Sequence, residues 1–160
     1  MSSYGDDYYA WNKQQAATLR AAKPQEFDWQ HIADELEMAA GSVESALESH
    51  LANVLLHLLK WRYQESKRTR SWQISLRIAR NQVERRLTKY PSLKSYLDEA
   101  FVYAYETAYA EAIKQMELKT DAEIGRIPER CEWTLAQVRD PDFLPPAYHE
   151  RRRARSRTRQ

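Results

Sequence analysis

The chain has 160 residues, 42% of them hydrophobic, with 25 Lys and Arg against 23 Asp and Glu and a formal net charge of +2. This length suits one domain with its own core, and the composition excludes collagen, a disulfide scaffold and global disorder. Glycine at 5, 41 and 125 alone cannot build a phosphate loop or a dinucleotide fingerprint, and the single Cys131 excludes an internal disulfide and a paired-cysteine zinc site.

Helical spacing dominates, and β-signals are weak. Asp6 or Asp7 starts a first helix running to Lys23, where Pro24 ends it. Asp28 caps a second helix, with Phe27 and Ile32 as a hydrophobic staple. Ile32, Leu36, Ala39, Val43, Leu47, Leu51, Val54 and Leu58 form one apolar stripe along it. From Leu51 onward Leu55, Leu56 and Leu59 add apolar surface on the other sides, which marks that end as buried. Gly41 could kink or split this helix, and the sequence leaves both open.

Ser71 is the expected cap of a third helix, on which Trp72, Leu76, Ala79, Val83, Leu87 and Tyr90 share one face. Ile74 and Ile78 face nearly the opposite way and form an expected interaction patch for another segment or subunit. Pro91 interrupts, and Ser92 is expected to cap a fourth helix reaching about Leu118. There Ala100, Ala104, Ala108 and Ala112 recur every four residues beside Phe101, Tyr105, Tyr109 and Ile113, a pattern that lets another helix approach closely. Residues 119–131 read as an irregular connector, and Thr134 as the cap of a short helix ending at Arg139. The expected fold is all-α: a single-domain helical bundle of about four main helices plus a short C-terminal helix over 1–146. An Arg-rich tail over 147–160, expected to be disordered, follows.

No basic and apolar leader opens the chain, and the longest uncharged apolar run, 49–59, is about half as long as a bilayer span requires. A cytoplasmic protein with no membrane partner is expected. The net charge averages four blocks: −6 over 1–59, +9 over 60–94, −7 over 95–150 and +6 over 151–160. A chain patterned in this way folds acidic segments around a basic belt and carries a cationic tail.

His50 and His57 both lie on the second helix, but seven residues separate them by about 10.5 Å along the axis, too far to share one ion. Hydrogen-bonded interior histidines are expected instead, with His31 at the surface. No metal, cofactor or catalytic site is assigned. Asp34, Glu35 and Glu37 with Glu44 and Glu48 read as a solvated face or a dock, and Glu44 or Glu48 is expected to pair with Arg or Lys of residues 62–86. The belt interleaves Lys60, Arg62, Lys67, Arg68 and Arg70 with Trp61, Tyr63 and Trp72, a mixture that binds single-stranded nucleic acid or simply packs. The tail arginines Arg151, Arg152, Arg153, Arg155, Arg157 and Arg159 are a further cationic footprint.

Several stretches together resemble a bacterial family known as domain of unknown function family 29. They are Asp7-Tyr8-Tyr9-Ala10-Trp11 with Gln15-Ala16 and Leu19-Arg20, then Ile32-Ala33-Asp34-Glu35-Leu36-Glu37. Next come His57-Leu58-Leu59-Lys60-Trp61 with Tyr63-Gln64 and Arg70-Ser71-Trp72, Pro91-Ser92-Leu93 with Tyr96-Leu97, and the Ala-Tyr-rich helix. Pro128, Cys131 and Asp142-Phe143-Leu144-Pro145 complete the set, which covers about residues 4–146. The resemblance implies a compact all-helical domain and carries no activity. Glu65 stands where the family pattern has proline, so that connector is expected to turn differently.

Function is expected first as a non-enzymatic interaction module that binds itself or a protein partner. The alternative is a nucleic-acid-associated accessory protein using the belt and tail. An enzyme with a site at His57, Lys60 and the Asp34–Glu37 acids comes last.

Overall fold

The computed structural model describes residues 5–22 and 29–148, and among these every regular element is helical. The all-helical bundle expected from the sequence is what forms. Its four long helices are α1 (Tyr8–Ala22), α2 (Trp29–Tyr63), α3 (Arg70–Lys89) and α4 (Leu97–Gln115). Two short helices follow, α5 (Asp121–Ile124) and α6 (Leu135–Arg139). Lys23, Pro24, the Asp28 cap, the Phe27 half of the staple and the arginine tail lie outside the described residues.

Helix α2 is the axis of the molecule, and α1, α3 and α4 pack chiefly on it rather than on one another. Its 35 residues run through Gly41 without a break, which settles the question that glycine posed. Leu47, Leu51, Leu55, Leu58 and Leu59 are each at most 1% exposed, and each such burial stabilises by about 1.5–3 kcal/mol. The stripe starts later than its spacing suggests. Ile32 is 42% exposed, while Ala33 and Ala40 turn inward. The first turns of α2 meet the far end of α1 through Arg20, which binds Asp34 and Glu37, and the inward positions there take small residues.

Helix α4 presents Ala100, Ala104, Ala108 and Ala112 to the core, all buried. Their small side chains let α4 lie close along α2, with Phe101 and Tyr109 packed on the flanks.

The ends of the helices depart from the sequence reading in instructive ways. Thr69 rather than Ser71 caps α3: its hydroxyl accepts the Trp72 N–H at 3.4 Å, and Ser71 lies inside the first turn. Ser92 does not cap α4. Residues Pro91–Ser95 form a separate 3-10 turn that buries Leu93, and α4 begins at Leu97. A second 3-10 turn, Glu65–Lys67, occupies the connector between α2 and α3.

Helix α4 ends at Gln115, earlier than expected. The Glu117 and Leu118 N–H groups donate back to the Lys114 and Ile113 carbonyls, and Glu117 takes a positive φ of 56°. This is a Schellman ending with glutamate where glycine is the common choice. Residues 119–131 are not wholly irregular: Thr120 and Glu123 form a reciprocal capping box that starts α5. Thr134 and Gln137 do the same for α6, which ends at Arg139 as expected.

Asp7 ties two distant starts together. Its Oδ1 accepts the Ala10 N–H at 3.0 Å and its Oδ2 accepts the Ser92 N–H at 3.0 Å. One carboxylate therefore caps α1 and holds the 3-10 turn before α4. Packing continues past position 146: Ala147 is buried, and the Tyr148 ring lies 5.4 Å from that of Tyr63.

Candidate interaction surface

The structure divides the basic belt into cations with internal tasks and cations that face outward. Arg62 is 5% exposed and bonded to Glu132 at 2.6 Å. Its guanidinium lies 6.0 Å from the centre of the Trp133 ring. That burial removes Arg62 from the residues able to meet a phosphate, a correction to its assignment from sequence. Arg68 lies 4.8 Å over the Trp61 ring and donates Nε to the Trp61 carbonyl at 2.8 Å. Lys60 lies 5.1 Å over Trp72 and reaches Gln115 at 3.2 Å. Trp61 and Trp72 thus hold cations of the belt itself, leaving Lys67 and Arg70 as the exposed ones within residues 60–72.

Arg80 and Asn12 are buried polar residues that sequence reasoning missed, and Arg80 is the one with resolved partners. It is 4% exposed, and its guanidinium donates to three backbone carbonyls: Val138 at 2.9 Å, Pro141 at 3.1 Å and Phe143 at 2.8 Å. Burial pushes its pKa down, while Asp140 and Asp142 act the other way. Arg80 fastens the segment after α6 to α3, and an Arg139–Glu84 fork at 2.8 and 2.9 Å adds an outer tie.

The acidic residues of α2 do not dock the belt. Arg20 of α1 binds both Asp34, at 2.6 Å, and Glu37. Glu44 accepts the Tyr9 hydroxyl and lies 3.5 Å from Lys13. Glu48 accepts the Tyr96 hydroxyl at 2.5 Å. Both tyrosine pKa values are raised, first by burial and then by the carboxylate. The expected pairing of Glu44 or Glu48 with residues 62–86 is therefore replaced by pairing with α1 and the residue before α4.

His57 and His50 are held below the ordinary imidazole range by burial, with Lys60 and Arg86 adding to it respectively. Among the described residues the buried His57 Nδ1 has no hydrogen-bond partner, so this nitrogen lacks the bond expected of an interior histidine. Asp34 and His57 are 23 residues apart on one helix, or about 35 Å. His57, Lys60 and the Asp34–Glu37 acids accordingly share no cleft. Among the described residues no three His, Cys, Asp or Glu side chains converge as a metal site.

Two outward faces remain. On α3, Ile74 and Ile78 are 51% and 55% exposed. Arg70, Arg77, Arg85 and Lys89 are exposed beside them, within an arc of about 120° at 3.6 residues per turn. On α4, Val102 is 56% and Tyr103 46% exposed, among the exposed acids Asp98, Glu99 and Glu106. Beside Val102 runs an open groove of about 560 Å³, floored by Phe101 and Tyr105 and edged by Glu106, Glu129 and Arg130. Cys131 also lines it, with its thiol pKa pushed up by burial to about 11. No described helix is long and apolar enough to cross a membrane.

Comparison with known proteins agrees with this architecture. The family model described as "Domain of unknown function DUF29" matches residues 3–144. A crystallised alpha-helical protein of unknown function from Rhodospirillum rubrum superposes with a TM-score of 0.65 at 20% identity, covering 94% of this chain and 95% of that one. At that identity the likeness concerns the fold. No curated relative matches the chain.

Proposed function

Because the chain belongs to the family described as Domain of unknown function DUF29, which brings no activity with it, we propose from its own surfaces that it is a non-enzymatic helical interaction module. The observation that carries this is the outer face of α3, where two isoleucines about half exposed sit among four cations. A solvent-facing helix ordinarily places polar residues at such positions, and apolar residues ringed by charge are a common form of protein-binding surface. The lone cysteine, unpaired and with a raised pKa, suits a reducing cell interior.

The test compares the full chain with an Ile74→Glu/Ile78→Glu variant. Each isoleucine is about half exposed, and circular dichroism and thermal melting check that the variant keeps its fold. Covering the exposed half of each isoleucine is worth about 1 kcal/mol, so losing both weakens a complex by about 2 kcal/mol, or some 30-fold in Kd. Quantitative cross-linking in the native cell should show the adducts on α3 lost in the variant. Unchanged adducts would refute the proposal. Salt-sensitive capture of nucleic acid that depended on Lys67, Arg70 and residues 151–159, with no α3 protein adduct, would favour the nucleic-acid alternative instead.

A further inference from the structure

We infer that the partner of the α3 face is a second copy of this chain, bound through the acidic groove along α4. The inference rests on the interaction-module reading and names its occupant. Two observations lead there, and they match each other.

The α3 face offers apolar knobs inside a cationic frame: Ile74 and Ile78 among Arg70, Arg77, Arg85 and Lys89. The α4 face offers the complement. Its groove has an aromatic floor, Phe101 and Tyr105, with Val102 at the lip. Glu106 and Glu129 stand on its edges, and Asp98 and Glu99 continue the negative charge toward the start of the helix. Arg130 is the one cation on the rim. An isoleucine pair four residues apart presents two branched side chains about 6 Å apart along the helix, a spacing suited to an elongated groove. Each partner's charges would repel a second copy of the same face, so α3 against α3 and α4 against α4 are disfavoured. The opposite pairing sets basic groups against acids around an apolar centre.

The geometry also fixes the character of the contact. The α3 face is about 30 Å long and 10–12 Å wide, a footprint of roughly 300–360 Å². That is less than half the ~800 Å² per partner of a standard stable interface. A single contact is therefore weak, and its framing charges make it sensitive to salt. It joins different surfaces of the two copies. Made reciprocally it gives an isologous two-fold pair, and made once per copy it is heterologous and either closes into a larger ring or propagates.

Sedimentation velocity on the full chain from 10 μM to 1 mM at 50 mM salt provides the test. The expected result is a weight-average mass that rises with concentration above the 18.9 kDa monomer and falls back on adding 0.5 M salt. The decisive arm uses two charge-reversed chains, Arg77→Glu/Arg85→Glu and Glu106→Arg/Glu129→Arg. All four positions are exposed, and circular dichroism is the check that each variant folds before it is mixed. Each variant alone should remain monomeric. Their equimolar mixture should associate, because the first keeps an intact α4 groove and the second an intact α3 face.

A wild-type chain that stays monomeric throughout overturns the inference. So does association that survives Arg77→Glu/Arg85→Glu, which would assign the groove to the arginine tail, and so does a mixture that fails to associate. A monomeric wild type leaves the broader module standing if its α3 adducts in cells still vanish with Ile74→Glu/Ile78→Glu. If those adducts persist as well, both fail.

Discussion

Replacing Arg80 by methionine should be among the most damaging substitutions in this chain that leave every apolar core residue in place. Methionine keeps the stem and removes the guanidinium. Three carbonyls then lose their donor: Val138, Pro141 and Phe143, bonded at 2.8–3.1 Å. The Val138 carbonyl is buried, and a buried acceptor left without a partner costs about 1–3 kcal/mol; the Pro141 and Phe143 carbonyls are partly exposed, each lost bond there costs about 0.5–1.5 kcal/mol, and the three together cost about 2–6 kcal/mol. The substitution also relieves the charge of its burial, an offsetting gain that holds the estimate to the low end of that range. The expected result is a loss of about 3 kcal/mol in urea denaturation, or about 6–12 °C in Tm for a chain of this size. Hydrogen exchange should show residues 133–148 losing protection first, since they are what Arg80 fastens. Arg80→Lys should fall between, because one compact ammonium cannot reproduce the planar fork. A methionine variant within 1 kcal/mol of wild type, with residues 133–148 still protected, would refute the reasoning.

Two backbone positions predict gains. A Cβ at Gly41 would meet nothing within 4 Å, so Gly41→Ala should stabilise by about 0.5–1 kcal/mol in urea. Glu117→Gly should gain about 1 kcal/mol by relieving the positive φ of 56°; a loss in either case would show that the side chain or its absence serves another end. Burial raises the Asp7 pKa, but the Ala10 N–H, the Ser92 side chain and N–H, and the Tyr9 N–H outweigh it and hold the carboxyl below its ordinary 3.8. Asp7 therefore contributes stability that is complete above about pH 4 and is lost as pH falls through its folded pKa. Asp7→Ala should cost about 1 kcal/mol at pH 7 and progressively less below pH 4, and a deficit that stayed constant across a pH 2–7 denaturation series would contradict this.

The bundle was legible because its apolar periods are long. Val43, Leu47, Leu51, Val54 and Leu58 could be placed without seeing the fold, since their burial follows from helical spacing alone. Helix starts were less legible. Thr69 and Ser71 are both good caps by residue type, and only the path of the incoming chain selects Thr69. Ser92 looks like a cap, yet Asp7, 85 residues away, takes its N–H and the chain turns before α4 begins.

The internal arginines were missed for a different reason. Arg80 falls about 20° from Leu87 on the wheel, and Arg62 continues the stripe four residues after Leu58. A cation on an apolar stripe is itself a signal of an interior partner, but residue type and spacing do not name that partner. The partners, carbonyls 58–63 residues downstream and Glu132, are supplied by tertiary packing. The faces of α3 and α4 were half visible. Ile74 and Ile78 stood out on the wheel, whereas the groove beside α4 needs Glu129 and Cys131 brought up from a connector that carries no periodic signal.

The shared axis has a consequence for how the chain can be divided. Helices α1, α3 and α4 each rest chiefly on α2, so none of the four long helices belongs to a pair that could stand apart from the others. A cut between α3 and α4 would leave one fragment with the alanine-facing side of α2 uncovered. The other would hold an alanine-rich helix with nothing to lie against. The molecule has no smaller inheritable unit: a gene fusion or duplication that borrowed part of it would have to take the axis and all three of its companions together.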